Sequence, residues 1–252
     1  KMASEEPLFL GVFSAECWGV FVEGVQQVAR LELVSAATRF QYYKPCALKV
    51  IAKVLGYLII LGSVGFKLPQ IIAVLRAGSA TGLSVVALEL DVFVFQASLG
   101  YSLRQRLPLS AYGEQATVLA QNVILLVLAQ RDPKRLALDF LVFGAAAALI
   151  AATQDAYLFA WPLVTVIAAV ASRVPQILAN YSQRHTGCLS AITVALNVLG
   201  ALARVFTTLN DTYDPVVLFS YATSFLLSAI VLLQILLYRR ETKAALAKVE
   251  DS

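Results

Sequence analysis

Two stretches of the chain repeat one another: KLPQIIA at residues 67–73 with TGLS at 81–84, and RVPQILA at residues 173–179 with TGCLS at 186–190. The prolines of the two copies are 106 positions apart, and so are the serines that close them. Each copy places a cation two residues before a proline inside an apolar run, followed by a polar turn and a second apolar run. This matched context predicts an internal duplication rather than two unrelated kinks.

The composition indicates an integral membrane protein. Of the 252 residues, 59% are hydrophobic and 14% are charged, and the mean hydropathy is +0.75, far from the balance of a soluble domain. A net charge of +4 is too small and too dispersed to favour nucleic acid as a partner. The three cysteines and the single His185 lack metal-ligand spacing, so we expect neither a metal site nor a cofactor.

The apolar runs predict an all-α polytopic membrane protein with seven transmembrane helices. Each run reaches the roughly 20 residues that a helix needs to cross a bilayer. Because the two copies lie four spans apart, they run in the same direction through the membrane and are parallel repeats. The predicted organisation is an interfacial amphipathic segment at 1–45, a three-helix bundle at 46–130, a linker helix at 131–155, a second three-helix bundle at 156–238 and a tail at 239–252. A new start is expected at Lys44–Pro45.

Lys and Arg are unevenly distributed between the two predicted membrane faces. One face receives Arg76, Arg131, Arg239 and their basic neighbours, whereas the last two loops of the other face have no Lys or Arg. Since cytosolic loops carry the excess of these residues, the C-terminus is predicted in the cytosol and the N-terminus in the lumen.

The same topology separates the cysteines by compartment. Cys17 and Cys46 fall on the luminal side, where disulfides form, and Cys188 falls on the reducing side. A Cys17–Cys46 disulfide and two unpaired thiols are both open alternatives at this point.

Polar side chains within the spans are expensive and by default indicate a functional site. The duplication selects two pairs at equivalent depth, Lys67 with Arg173 and Asp91 with Asn197, each separated by 106 positions. The candidate substrate-binding set is completed by four further side chains of the same spans: Gln70, Glu89, Gln176 and Arg204.

The prolines of the two copies are the predicted hinges. A proline within a helix frees the carbonyl four residues earlier, and in a membrane that group must find another partner or line a wet cavity. We therefore expect Pro69 and Pro175 to kink their helices and to face the central space rather than lipid.

The three cations within the spans, Lys67, Arg173 and Arg204, have a structural explanation as well as a binding one. Each is equally well explained as an ion pair with one of three acidic residues, Glu89, Asp91 and Glu114. Left unpaired, the same cations would suit an anionic phosphate, whereas a neutral sugar would need none. Helical periodicity also places Glu89 on one face with Gln96 and points Asp91 away from it.

The Lys-Leu-Pro-Gln and Arg-Val-Pro-Gln motifs, each followed by a glycine-containing turn and a serine, resemble the signature of the PQ-loop family. That family includes the sugar-transporting SWEETs, cystinosin-type lysosomal exporters and KDEL receptors. The resemblance covers about residues 46–238 and implies that each three-helix bundle is one PQ-loop repeat. Within the family, His185–Val194 and Leu202–Thr207 are most similar to members required for the use of dolichol-phosphate-mannose and dolichol-phosphate-glucose.

The resemblance implies a protein of the endoplasmic reticulum membrane without enzymatic activity. Its implied partners are membrane lipid, dolichyl-phosphate mannose and dolichyl-phosphate glucose, which it would scramble or present for the synthesis of N-glycan precursors and GPI anchors. The alternative is a sugar or amino acid transporter, since relatives of this kind carry small solutes. A third reading is a chaperone-like partner of luminal glycosyltransferases.

Overall fold

A computed structural model of the chain describes residues 36–80, 83–186, 191–239 and 242. Within these ranges the regular structure is entirely helical. Six helical segments are long and apolar enough to cross a membrane, which confirms the predicted all-α polytopic architecture. The α-helices are α1 (Ala36–Val64), α2 (Leu68–Ala77), α3 (Val85–Arg104), α4 (Leu109–Ala129), α5 (Pro133–Ala152), α6 (Ala160–Gln183), α7 (Ala191–Thr207) and α8 (Pro215–Leu237).

The predicted third span is a helix of different character. With 21 residues, α4 is as long as its neighbours, but it is not one of the six strongly apolar segments. Three buried amides, Gln115, Gln121 and Asn122, interrupt its apolar sequence. Such a helix needs protein rather than lipid around it, and α4 packs between α1 and α3.

The two copies fold into equivalent three-helix bundles. In the first bundle α4 lies between α1 and α3, and in the second bundle α8 lies between α6 and α7. The third helix of each copy is therefore the central one. The bundles meet where α3 contacts α6 and where α1 contacts α7, and the linker helix α5 packs against α3.

Apolar packing is dense within the first bundle and bridges the two bundles at one end. Val92, Leu125 and Leu126 lie in the core of the first bundle and are completely or almost completely buried. At the predicted luminal end, Tyr101 and Val217 belong to a cluster that spans both bundles. These contacts fix α8 against the end of α3.

The first helix does not begin where the sequence predicts a new start. α1 is continuous through Pro45, so the predicted boundary at 45/46 is not a break in the helix. A proline removes one backbone hydrogen bond, and a helix tolerates that loss where the freed carbonyl finds another partner.

Cys46 lies in this helix and is disulfide-bonded. Its partner lies outside the described residues, as do Cys17 and Cys188. The Cys17–Cys46 disulfide therefore stays a prediction.

The two predicted hinges differ from each other. In the first copy the helix breaks over Gly65–Lys67, and Pro69 lies in the first turn of α2, where proline is favoured. In the second copy, Pro175 lies inside the continuous helix α6. Both prolines are exposed, and neither lines the cavity between the bundles. The expectation that they face the central space is wrong. For Pro175 the reason is geometric, because Arg173 lines that cavity and a residue two positions later lies about 200° around the helix. Pro69 follows the helix break and is exposed.

Candidate functional site

A cavity of about 460 Å³ lies between the two bundles. Its volume is typical of small-molecule sites. All three helices of the second bundle contribute to its wall, together with α1, α3 and α4 of the first. The polar lining includes Glu114, Arg173, Asn197, Arg204, Tyr221 and Ser228, and apolar side chains such as Phe66 and Phe95 complete it.

Arg204 marks one end of this cavity and is only 3% exposed. Its Nε lies 2.7 Å from Glu114 Oε1, and its Nη1 donates to the Ser110 carbonyl at 2.9 Å. The centre of the Tyr221 ring is 6.0 Å from the guanidinium carbon. Nη2 has no hydrogen-bond partner among the described residues. The ion-pair alternative thus applies to Arg204, but one of its donor groups is unsatisfied.

The Tyr221 hydroxyl connects this cluster to the first bundle. It accepts a hydrogen bond from Gln115 Nε2 at 3.0 Å and donates to Glu114 Oε1 at 3.4 Å. Glu114 is therefore held by a cation and a hydroxyl, both from the second bundle. These contacts fix the position of the one carboxylate that the described residues contribute to the lining of the cavity.

Lys67 is satisfied within the first bundle. Its Nζ lies 3.0 Å from Asp91 Oδ2 and also donates to Asn122 Oδ1. Neither Lys67 nor Asp91 lines the cavity. The ion-pair alternative therefore applies to Lys67, and the structure separates this pair from the polar residues between the bundles.

Gln121 of α4 spans the helix break that precedes Pro69. Its Nε2 donates to the carbonyls of Ser63 and Val64 at 3.0 and 2.7 Å, and its Oε1 accepts from the backbone N–H of Lys67 at 3.1 Å. In a continuous helix the Ser63 carbonyl and the Lys67 N–H would bond to each other. The side chain is thus inserted into the helical hydrogen-bond ladder.

Arg173 is the repeat counterpart of Lys67 and has different surroundings. It is half-buried in α6 and lines the cavity. Among the described residues it forms neither an ion pair nor a hydrogen bond. Asn197, the counterpart of Asp91, lines the same cavity and also makes no hydrogen bond to a described residue. The two predicted pairs match in position but not in environment.

Glu89 belongs to another contact. Its Oε1 accepts from Arg135 Nη2 of α5 at 3.1 Å, and Gln96 of the same face donates to the Phe143 carbonyl of α5 at 2.7 Å. These bonds confirm that Glu89 and Gln96 share a helix face. They also exclude Glu89 from the cavity, because that face is covered by the linker helix.

The two motif glutamines lie outside the cavity as well. Gln70 is exposed and Gln176 is half-buried, and neither hydrogen bonds to a described residue. Gln70 follows the helix break, and Gln176 lies three residues beyond Arg173. The predicted set thus contributes three lining residues, Arg173, Asn197 and Arg204.

Polar contacts also fasten the two bundles together at the predicted luminal end. Asp211, in the π-helical turn Thr208–Thr212 after α7, accepts from Ser110 Oγ at 2.6 Å and lies 3.8 Å from Lys53 Nζ. The Tyr101 hydroxyl donates to Asp214 Oδ2 at 2.9 Å. The polar contacts identified between described residues of the two bundles all lie in this half.

Sequence reasoning missed the contribution of α8 to the cavity. The 106-residue offset maps Asn122 onto Ser228 and Gln115 onto Tyr221. The duplication therefore contained this signal, but it emerges only when the offset is applied to the third helix of each copy. Ser224 also lines the cavity, and its counterpart at 118 is an apolar Val.

Two three-helix bundles joined by one linker helix, with a polar cavity between them, define a polytopic membrane protein built from a duplicated unit. The PQ loop repeat family matches residues 51–111 and 160–217, one match in each copy. The chain is 33% identical over 177 residues to human "Solute carrier family 66 member 3", an alignment that covers 69% of this chain and 87% of that protein. The chain therefore belongs to the PQ-loop repeat family. No solved structure matches it.

Proposed function

We propose that the protein supports the use of dolichol-phosphate-mannose and dolichol-phosphate-glucose by receiving their phosphosugar heads in the cavity between the bundles. The resemblance of residues 185–194 and 202–207 to the mannose-P-dolichol utilization defect 1 protein supports this proposal. The protein either scrambles the lipid between leaflets or presents it, while the polyprenyl tail stays in the bilayer. The role is non-enzymatic.

The observation that carries the proposal is the environment of Arg173. An ionised side chain at membrane depth normally pairs with another group, yet Arg173 has no partner among the described residues and lines the cavity. Guanidinium binds phosphate through paired N–H groups. A phosphate in the cavity would provide the missing counter-charge, which a neutral solute would not.

The remaining lining suits a sugar head. Asn197, Ser224 and Ser228 offer amide and hydroxyl groups for sugar hydroxyls. Phe66 and Phe95 supply apolar surface beside them. Mannose and glucose differ only in the configuration of a hydroxyl, so this mixed lining is compatible with both carriers.

We place the protein in the endoplasmic reticulum membrane with the N-terminus in the lumen and the C-terminus in the cytosol. The distribution of Lys and Arg supports this orientation. Luminal glycosyltransferases that consume the two lipids are then the expected protein partners. The bundle end that carries Ser110 and Asp211 would face them.

The second candidate function is transport of a small solute. The relative named as a solute carrier and the cavity of about 460 Å³, large enough for a sugar or an amino acid, favour it. A carried amino acid would meet Arg173 through its carboxylate. The two functions therefore differ in whether the ligand brings a lipid tail.

Reconstitution in liposomes tests the proposal. The pure protein is inserted with labelled dolichyl-phosphate mannose, and a membrane-impermeant oxidant reports how fast the sugar reaches the outer leaflet. We expect transfer above protein-free vesicles, and a lower rate for Arg173→Gln, which removes the charge. The matched control is Lys134→Gln, which removes an exposed charge far from the cavity.

Two outcomes decide between the readings. Binding of the labelled lipid without accelerated transfer assigns presentation rather than scrambling. Uptake of free sugars or amino acids by the same vesicles, with neither binding nor transfer of the lipid, establishes the solute transporter and overturns the proposal.

A further inference from the structure

In the first copy, three side chains at duplicated positions form a cluster in which the cation is paired with a carboxylate and an amide. Lys67 Nζ lies 3.0 Å from Asp91 Oδ2 and donates to Asn122 Oδ1. The three side chains come from the loop before α2, from α3 and from α4, so one cation joins three elements. A carboxylate provides the negative charge.

The second copy has the same three positions with altered chemistry. An offset of 106 maps Lys67 onto Arg173, Asp91 onto Asn197 and Asn122 onto Ser228. All three counterparts line the cavity between the bundles. The cation is retained, the carboxylate is replaced by an amide, and the amide is replaced by a shorter hydroxyl. The second copy thus has no carboxylate at the position equivalent to Asp91, and Ser228 is a smaller side chain than its counterpart Asn122.

A second cation, Arg204, adds positive charge to this cavity and favours an anionic ligand. Arg204 is 3% exposed, and its Nη2 has no partner among the described residues. Glu114, the carboxylate of this lining, pairs with Arg204 at 2.7 Å. Among the described lining residues, two cations and one carboxylate leave one positive charge, and Arg173 has no counter-ion among them.

We infer that the anionic group of the ligand takes, in the second repeat, the place that the Asp91 carboxylate takes in the first. The ligand class is a phosphate ester, and its identification as a lipid-linked phosphosugar rests on the proposed function. Arg173 binds the phosphate oxygens, the Arg204 Nη2 donates to the same head, and Asn197 and Ser228 meet neutral groups. Lys67 is a structural cation whose site is already filled.

Restoring the carboxylate provides a direct test. Asn197→Asp places a negative charge where the first repeat has Asp91, so Arg173 gains an internal partner and competes less well for ligand. We expect binding of phosphate esters to weaken by about tenfold to a hundredfold, the range of a hydrogen bond to a charged group. Asn197→Ala removes one neutral hydrogen bond and is expected to cost less than about tenfold.

Calorimetric titration of the full chain in non-ionic detergent measures these affinities. Citronellyl-phosphate-mannose, a short-chain lipid analogue, and mannose 1-phosphate serve as separate probes. Both probes should bind more weakly to Asn197→Asp. If the unaltered protein binds mannose 1-phosphate but not the lipid analogue, the natural ligand is a soluble phosphate ester rather than a lipid. Gln154→Glu, which adds the same charge in an exposed loop, is the matched control and should bind as the unaltered protein does.

Thermal unfolding separates this effect from simple damage. The Asn197→Asp protein should unfold without ligand at a temperature no lower than the unaltered protein, because its new carboxylate pairs with Arg173, but it should gain less stability from the probes. If it does not fold, Ser228→Asp adds the carboxylate from α8, and Arg173→Gln removes the cation. Affinity equal to that of the unaltered protein in Asn197→Asp, or in Arg173→Gln, overturns the inference.

The two proposals fail separately. Weakened binding in Asn197→Asp, with no acceleration of dolichyl-phosphate-mannose transfer by the unaltered protein, keeps the anion site and removes lipid scrambling. Transfer that proceeds at the unaltered rate in Asn197→Asp, together with undiminished binding, removes the anion site and keeps the transport function.

Discussion

At the scale of single residues, a glutamine stabilises the break in the first copy. Gln121 donates to two carbonyls, of Ser63 and Val64, and accepts from the Lys67 N–H. Within a bilayer no water is available to satisfy these groups, so each needs a protein partner, and the Ser63 carbonyl has a second one in the Phe66 N–H. The motif proline lies in the first turn of α2, and the glutamine of another helix provides hydrogen-bond partners for backbone groups at the break.

We predict that Gln121→Leu destabilises the protein because the Val64 carbonyl and the Lys67 N–H lose their partner, whereas the Ser63 carbonyl keeps the bond from the Phe66 N–H. Each buried polar group left unpaired costs about 1–3 kcal/mol. Thermal unfolding in detergent should show a clear fall in midpoint. Gln70→Leu, at an exposed position without hydrogen bonds to described residues, is the control. Equal midpoints for the two variants would contradict the role given to Gln121.

At the scale of helices, α1 and α4 approach each other closely at a glycine. A Cβ built on Gly56 would lie 2.8 Å from the carbonyl oxygen of Ser110, a backbone atom that cannot rotate away. The same oxygen accepts from Arg204 Nη1 at 2.9 Å. The close contact between α1 and α4 therefore requires a glycine at position 56. The position of Arg204, from the second bundle, depends on the same contact.

Gly56→Ala should consequently force α1 and α4 apart. Overpacking of this kind costs about 1–3 kcal/mol, and the Arg204 contact should weaken with it. Gly144→Ala is the matched control, since no atom of another helix lies within 4 Å of its Cβ position and alanine favours the helix. Unfolding midpoints in detergent compare the two. A Gly56→Ala protein as stable as the Gly144→Ala protein would show that the helices repack without cost.

At the scale of the whole molecule, the two bundles are fastened at one end. Asp211 holds Ser110 and Lys53, and Asp214 holds Tyr101, so the second bundle contributes two carboxylates that bind groups of the first. All of these groups belong to the predicted luminal half. A reagent should therefore reach the cavity more easily from the opposite side.

Asp211→Asn removes the charge that holds Lys53 and weakens the bond from Ser110, and it should open this end. A cysteine introduced by Ser224→Cys reports the change, because position 224 lines the cavity. In vesicles, a membrane-impermeant thiol reagent added on the predicted luminal side should label it faster in Asp211→Asn. The rate in protein without Ser224→Cys is subtracted as background.

The control for this experiment removes a carboxylate at the other end. Asp139→Asn changes a group that accepts from Gln130 within the α4–α5 region at 3.5 Å. It should leave labelling at Ser224→Cys unchanged. Unchanged labelling in Asp211→Asn would mean that the apolar cluster around Tyr101 and Val217 keeps this end closed by itself.

The sequence by itself determined the membrane class, the duplication and the all-helical polytopic architecture. Hydrophobic runs report spans because lipid excludes unpaired backbone and charged groups, and an even number of crossings restores direction. Helical periodicity also correctly placed Glu89 and Gln96 on one face, which α5 covers.

Only the tertiary structure decided which cation is available to a ligand. Lys67, Arg173 and Arg204 are alike in sequence, each a basic residue in an apolar run. Lys67 meets Asp91 and Arg204 meets Glu114, whereas Arg173 meets neither. Whether a charge is neutralised depends on side chains that other helices bring within about 4 Å. Periodicity along one helix specifies a face and a depth, but it carries no information about the residue that a distant helix places opposite.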